Sequence, residues 1–298
     1  MNTYLAFGLV IASEIEIPEF QIVEARTVDV TIGIGAVPER LSGATHERAN
    51  WQAKRGAFLS IFEGVGRYLV EDGARITVAP EAGAGGDDLR VILLSSAVAA
   101  LLQMRGFLTL HASSVATPAG AVLISGKSGY GKSTTLAGFR KRGYKMLSDD
   151  ITALKLDDQG ALVAVPAFGR NRLTEAAAQH YDVAPMNREL VQASVPKYNL
   201  PVSELHSGPI RVSNLFLLQL AQQDAPLSIE TLSAKDAMPW ILKFTFRSNF
   251  LKGLGMLSAQ FRLGSVLTKQ AKTMVISRPR EGSTIDEVNE LIYTELGL

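Results

Sequence analysis

The segment Gly126-Lys127-Ser128-Gly129-Tyr130-Gly131-Lys132-Ser133, followed by Thr134, fits the pattern G-x-x-x-x-G-K-S. Its glycines let consecutive backbone N–H groups curl round a polyphosphate, Lys132 reaches the outer phosphates, and Ser133 offers its hydroxyl to magnesium. Upstream, Ala121-Val122-Leu123-Ile124 reads as a buried strand. Downstream, residues 134–142 read as a helix whose N-terminal dipole faces the anion, stopped by Gly143. An eight-residue match in this strand and helix context is rarely a chance glycine-rich turn. It predicts a nucleotide-binding α/β core with residues 126–134 as contacts, and ATP with Mg2+ as ligands.

An acidic pair, Asp149-Asp150, arrives after one helix and one short strand at residues 145–148. A carboxylate at a strand end beside the loop is placed to hold magnesium directly or through water. Neighbouring residues there point different ways, so one acid is free to hold metal while the other faces an acceptor hydroxyl as base. His111 enters through register. If Thr117-Pro118-Ala119-Gly120 turns strand 107–116 into strand 121–125, paired positions sum to about 237, which sets His111 opposite Gly126. A histidine at the mouth of the loop is placed to bond the terminal phosphate or the catalytic carboxylate; a strand-end histidine bonded to backbone is the plain alternative. The basic candidates for phosphate or substrate contact are Arg170 and Arg172, expected on a loop, with Arg211, Lys243 and Arg247 behind them. Singly, most arginines solvate a surface.

The chain has 298 residues, long for a single core, with a net charge of +1 and no cysteine. Near-neutral charge argues against a broad nucleic-acid footprint, and the lack of cysteine excludes disulfides and thiolate chemistry. No basic n-region precedes the first apolar run, and the most hydrophobic stretch, 91–104, lies between Arg90 and Arg105 and is too short to span a bilayer. A cytoplasmic protein acting away from membranes is expected, with homo-oligomerisation left open.

Residues 1–80 read as strands and turns, with hairpins at Gly64-Val65-Gly66 and Asp72-Gly73. The glycine-rich stretch 81–88 reads as a linker, dividing the chain into a β-rich domain over 1–88 and a nucleotide-binding domain over 89–298. Beyond it the pattern predicts a buried helix over 93–105, a hairpin at Asp157-Asp158-Gln159-Gly160, and a strand over 211–220. One helix is expected over 237–260, then a strand over 272–277 and a closing helix over 284–296 with a Thr284/Glu287 capping box.

Most loops of this kind place their metal-binding acid far downstream. The sequence of His111, then Gly126 to Ser133, then Arg142-Gly143 and Ser148-Asp149-Asp150, resembles the HPr kinase/phosphorylase family, a relative of phosphoenolpyruvate carboxykinase. The resemblance covers residues 105–156. It implies an α/β fold with a mixed sheet around the loop, the phosphate or base-partner role for His111, the base role for Asp149, and the metal role for Asp150 with Ser133. The chain departs from the family in lacking a Glu-Ile-Arg-Gly strand and in carrying Thr134 where an acid is usual. A narrower likeness, in Phe7-Gly8-Leu9, Ile17-Pro18-Glu19, Arg105-Gly106 and Leu110-His111-Ala112-Ser113, is to the related proteins encoded with lasso-peptide precursors, which phosphorylate a serine hydroxyl of the precursor. The expected function is therefore an ATP-dependent kinase acting on a serine-type hydroxyl of a peptide or small protein. The alternatives are a small-molecule hydroxyl kinase and a non-catalytic nucleotide-dependent switch.

Overall fold

The computed structural model describes residues 1–181, 197–202, 205–221, 225–280 and 284–298. The chain is a mixed α/β protein that divides into two compact units, Met1–Thr109 with Thr245–Leu263 and Leu110–Phe244 with Gly264–Leu298.

The first unit is built on β1 (Asn2–Ala6), β2 (Leu9–Ser13), β3 (Gln21–Ile22), β4 (Val30–Ile34), β5 (His46–Arg48), β6 (Trp51–Lys54), β7 (Ala57–Phe62), β8 (Gly66–Glu71) and β9 (Arg75–Pro80). They form one sheet in the order β3-β1-β2-β4-β9-β8-β7-β6-β5. Alternation supplies its buried face: Tyr68, Val70, Ile76 and Val78 are all fully buried, while their sequence neighbours face outward. The hairpins at 64–66 and 72–73 stand where the sequence predicts them. Tyr4 to Ile11 lies within the hairpin β1–β2. Phe7 and Gly8 turn it in the left-handed region, with φ of 55° and 66°. Phe7 is buried, so its packing holds a conformation that a bulky residue rarely adopts.

Residue 88 falls inside this unit. Only the first part of the expected linker is turn; α1 (Gly86–Ile92) starts within it, with Asp87 and Asp88 in the first turn, where the helix dipole favours acids. A π-turn (Leu93–Ala97) joins it to α2 (Val98–Met104). Leu93, Leu94, Ala97 and Leu101 are buried as expected for the apolar stretch, and they pack on β7 and β8. The later segment of the unit carries α6 (Leu251–Leu254) and the start of α7 (Leu257–Gln270). The single helix expected over 237–260 is thus broken. Arg247 at φ 53° and Gly255 at φ 71° leave the helical region, and α5 (Ala234–Lys243) ends before them.

The second unit follows the short strand β10 (Leu108–Leu110). It comprises β11 (Ala112–Thr117), β12 (Gly120–Gly126), α3 (Lys132–Lys141), β13 (Met146–Ser148), β14 (Thr152–Leu156), β15 (Leu162–Val165), β16 (Arg170–Thr174), α4 (Glu175–His180), β17 (Lys197–Pro201), β18 (Ile210–Leu220), β19 (Ser228–Thr231), β20 (Lys272–Arg278) and α8 (Ile285–Leu296), with α5 among them. The sheet is mixed. β12 runs parallel to β18 and antiparallel to β11, β13 pairs with β11, and β20 lies parallel to β18 on its other side. Val122, Leu123 and Ile124 are fully buried, the continuous apolar run of a strand covered on both faces. One covering layer is α3 with α8. Leu136, Phe139, Ile292 and Tyr293 join Ile124, Phe216 and Met274 in one core cluster, and the Phe139 and Tyr293 rings meet edge to face at 4.9 Å. The predicted capping box at α8 does not form: Thr284 is the N-cap but makes no side-chain capping bond.

Candidate functional site

The glycine loop joins β12 to α3, so its backbone is fixed by a buried strand on one side and a ten-residue helix on the other. Two glycines are needed there on physical grounds. Gly126 sits at φ 155°, and a Cβ on it would lie 2.6 Å from the Leu218 carbonyl oxygen of β18. Gly131 caps α3 in the left-handed region at φ 105°. Lys132, only 6% exposed, curls back over the loop, its Nζ donating to the carbonyls of Gly126 at 3.0 Å and Lys127 at 3.3 Å. A backbone cradle, an ammonium group and the N-terminus of α3 therefore converge, the set of features that holds a phosphate.

His111 lands where register requires. Ala112 pairs with Ser125 and Thr117 with Gly120, each pair summing to 237, so His111 stands just beyond the ladder beside Gly126. Its backbone breaks the expected strand 107–116 in two: the His111 N–H donates to the Phe244 carbonyl at 2.7 Å. The imidazole Nδ1 lies 3.1 Å from the Asp150 carbonyl oxygen and 3.3 Å from Asp150 Oδ1. Both are acceptors, so Nδ1 carries the proton and a neutral ring has its lone pair on Nε2.

The two acids at the end of β13 part company. Asp149, 5% exposed, is the hub of the site. Its Oδ1 accepts from Ser113 Oγ at 2.5 Å, Ser133 Oγ at 3.0 Å and the Asp150 N–H at 3.1 Å; its Oδ2 accepts from Asn171 Nδ2 and the Arg172 N–H, both at 2.9 Å. Asp150 takes the opposite side, at φ 78°, a conformation aspartate tolerates better than most residues. Its Oδ2 accepts from Arg172 Nη1 at 2.7 Å. Burial works to raise the Asp150 carboxyl, but the hydrogen bond from His111 and the charges of Arg172, His111 and Arg170 hold it well below the usual carboxylate range. Both Asp150 oxygens are therefore engaged, and it is Asp149 that shares the Ser133 hydroxyl.

Arg170 and Arg172 stand on β16, paired with β17, and not on a loop. Arg170 is 7% exposed and stacks on the Phe168 ring at 5.0 Å. Arg211 lies at the far end of β18 from the loop: Val212 pairs with Ala121 and Leu218 with Gly126, so roughly 20 Å of strand separates them. Lys243 stacks over Trp240 at 4.8 Å. Arg247 belongs to the first unit. Of the basic candidates the sequence offers, Arg172 and Arg170 are thus the two tied to Asp150.

Three contributors lie outside the sequence reading. Ser113 and Asn171 are fully buried donors to Asp149, and Asn171 also accepts from Arg140 Nη1 at 3.3 Å. Behind them runs a buried hydroxyl chain, Ser114 to Ser148 at 2.6 Å, Ser148 to Thr152 at 2.7 Å, and Thr152 to the Ala112 carbonyl at 2.9 Å. A serine on a strand carries no motif, and β11 carries Ser114 and Thr117 as well, so only its polar side chain on a buried strand marks Ser113. The third contributor is a cleft of about 230 Å³ beside the loop, whose far wall is Arg278, Thr284, Ile285 and Val288.

Magnesium fits this chemistry in one respect. Among the described residues no three His, Asp or Glu side chains are arranged to hold a metal ion by themselves, so magnesium would depend on nucleotide phosphates and water with Ser133 as a protein ligand, the usual habit of magnesium. Ser133 spends its proton on Asp149, which leaves its oxygen lone pairs available. Among the described residues no helix is long and apolar enough to cross a membrane.

No protein-family model matches the chain, and no curated protein matches it. Among solved structures it is similar to the HPr(Ser) kinase/phosphatase from Coxiella burnetii, at 13% sequence identity and a TM-score of 0.33, over 63% of this chain and 90% of that one. A likeness of that size decides no chemistry; the residues of the site itself have to carry it.

Proposed function

We propose that the protein is an ATP-dependent kinase that transfers the γ-phosphate to a serine-type hydroxyl of a peptide or small protein, with a lasso-peptide precursor as the first acceptor to try. The observation that carries this reading is Asp149, a buried carboxylate bonded to the serine of the glycine loop and oriented by Ser113, Asn171 and backbone N–H groups.

In this reading the loop N–H groups and Lys132 bind and align the phosphates, and Lys132 offsets the charge on the transferring group. Asp149 accepts the proton of the acceptor hydroxyl as its oxygen bonds to the γ-phosphorus, while the bond to the β-phosphate oxygen breaks and ADP departs. Ser133 would hold magnesium, which neutralises charge on the phosphates. Asp150 is a positioning residue: its ion pair with Arg172 and its contact with His111 fix both groups beside the site. In this reading the metal role expected of Asp150 passes to Ser133, because Asp150 does not bond the Ser133 hydroxyl and pairs with Arg172 and His111 instead. The acceptor class comes from the short motifs shared with the lasso-peptide-associated proteins. The proline-containing segment 170–210, long enough to take a peptide, lies partly outside the described residues.

The test is transfer from γ-labelled ATP to a serine-containing precursor peptide, to the same peptide with Ser→Ala, and to small hydroxyl compounds, each with and without magnesium. Label on the serine peptide alone, lost in Lys132→Ala, is the expected result. Label on small hydroxyl compounds only would favour the small-molecule kinase, and nucleotide binding with no transfer to any acceptor would favour the switch.

A further inference from the structure

Three residues that each carry a buried polar atom without a hydrogen-bond partner line one cleft. Arg172 Nε, Arg278 Nε and Thr284 Oγ1 are each shielded from solvent and unpaired among the described residues, and all three residues line the cleft beside the glycine loop. Thr284 is only 7% exposed. Burying a donor without a partner costs about 1–3 kcal/mol, so each of these side chains would gain by turning its unpaired atom toward a ligand in the cleft. Their elements are independent: Arg172 comes from β16, Arg278 from the end of β20, and Thr284 from the N-cap of α8. Between them the wall is apolar, formed by Ala177, Ile285 and Val288. An apolar slot with a few convergent polar groups is the pattern of a small-molecule subsite. The glycine loop and the start of α3 form the remaining wall, so this space is continuous with the phosphate cradle.

We propose that this cleft takes the sugar and base of the nucleotide, with the ring against Ala177, Ile285 and Val288 and with Arg278 and Thr284 bonding its polar edge. The assignment rests on the nucleotide-binding reading of the loop and adds the residues that would recognise the nucleoside. Arg278 Nε can only donate, whereas the Thr284 hydroxyl donates and accepts, so together they match a base edge that carries an acceptor next to an amino or carbonyl group. A phosphate-only site would need donors alone and would gain nothing from the three apolar side chains.

The experiment is calorimetric titration of the full chain with ATP, GTP and inorganic tripolyphosphate, for wild type, Arg278→Gln, Thr284→Val and Lys132→Ala. Each cleft variant should weaken the better-bound nucleoside triphosphate by about tenfold, the scale of one lost hydrogen bond to a charged or buried group, while leaving tripolyphosphate binding unchanged. Lys132→Ala should weaken all three ligands. Equal loss of tripolyphosphate and nucleotide in the cleft variants would show that the cleft holds phosphate and overturn the proposal. Unchanged nucleotide affinity in both variants, with melting temperatures like wild type, would overturn it too. Should a cleft variant melt early, the other gives the answer, since they sit on different elements. The loop reading fails separately, if Lys132→Ala leaves nucleotide binding intact.

Discussion

Asp149 and Asp150 are adjacent in sequence and unlike in circumstance, and the difference makes a kinetic prediction. Asp149 holds the donors of the loop and the strands; Asp150 holds His111 and Arg172. Asp149→Asn should lower kcat by a hundredfold or more with little change in nucleotide affinity, the usual scale for loss of a general base. Asp150→Asn should lower kcat less and leave the magnesium concentration for half-maximal rate unchanged, because Ser133 is not its partner. Rates of both variants measured across magnesium concentration decide it, and rescue of Asp150→Asn by excess metal would restore the metal role to that residue. The depressed Asp150 carboxyl adds a stability prediction. Its folded-state value lies below the unfolded one, so its contribution is full above the unfolded carboxylate value of about 3.9 and declines as pH falls below it. The gap in unfolding free energy between wild type and Asp150→Asn, on the order of 1–3 kcal/mol at neutral pH, should therefore hold steady down to about pH 5 and narrow below about pH 4. Urea denaturation of both proteins across that range measures it; a gap that widens toward acid would contradict the ion-pair assignment.

Strand, loop and helix make one device, and Gly126 is its joint. An alanine there would need φ 155° and would bring Cβ to 2.6 Å from a main-chain oxygen that β18 holds in place. Gly126→Ala should cost roughly 1–3 kcal/mol and reduce nucleotide binding at least tenfold, since the cradle cannot close without moving β12 off β18. A variant with wild-type melting and wild-type nucleotide affinity would mean that the loop relaxes elsewhere. Asn171→Leu makes the complementary test from β16. It removes a buried donor from Asp149 together with a 3.4 Å bond to the Ser133 carbonyl, so transfer should fall tenfold or more while nucleotide affinity falls by less. At this scale the sequence was legible where one local rule governs. The buried strand, its loop and helix, the 237 register, the strands at 211–220 and 272–277, and the closing helix all follow from periodicity and turn residues. It was illegible where distant residues meet. Nothing in the sequence says that Asn171 reaches Asp149 across 22 positions, or that Arg247 leaves the helical region inside an apolar, helix-like stretch. The Thr284/Glu287 capping signal was present in the sequence yet does not form its bond in the structure.

At the scale of the whole molecule, what the sequence suggested as a linker and what the structure packs together differ, and the difference can be tested with a cut. Residues 81–83 and 85–88 are exposed, so composition alone reads the stretch as a hinge between domains. Yet the helices that follow bury Leu93, Leu94, Ala97, Leu101 and Leu102 within the unit that contains β1 to β9, and Tyr68 of β8 donates its hydroxyl to the Leu89 carbonyl at 3.0 Å. Burying each leucine contributes roughly 1.5–3 kcal/mol, so detaching the sheet from these helices would cost an amount comparable to a typical domain's net stability. Two experiments separate the readings. Deleting residues 1–88 should give a chain that aggregates or melts without a cooperative transition, because it uncovers that apolar face. A protease site placed at Ala84 and cut in the folded protein should instead leave both pieces together, eluting as one species under native conditions and separating only in denaturant. If the pieces parted in native buffer, and the 89–298 fragment stayed soluble and bound nucleotide, the stretch would be a true interdomain linker and the division of the chain would fall at residue 88 after all.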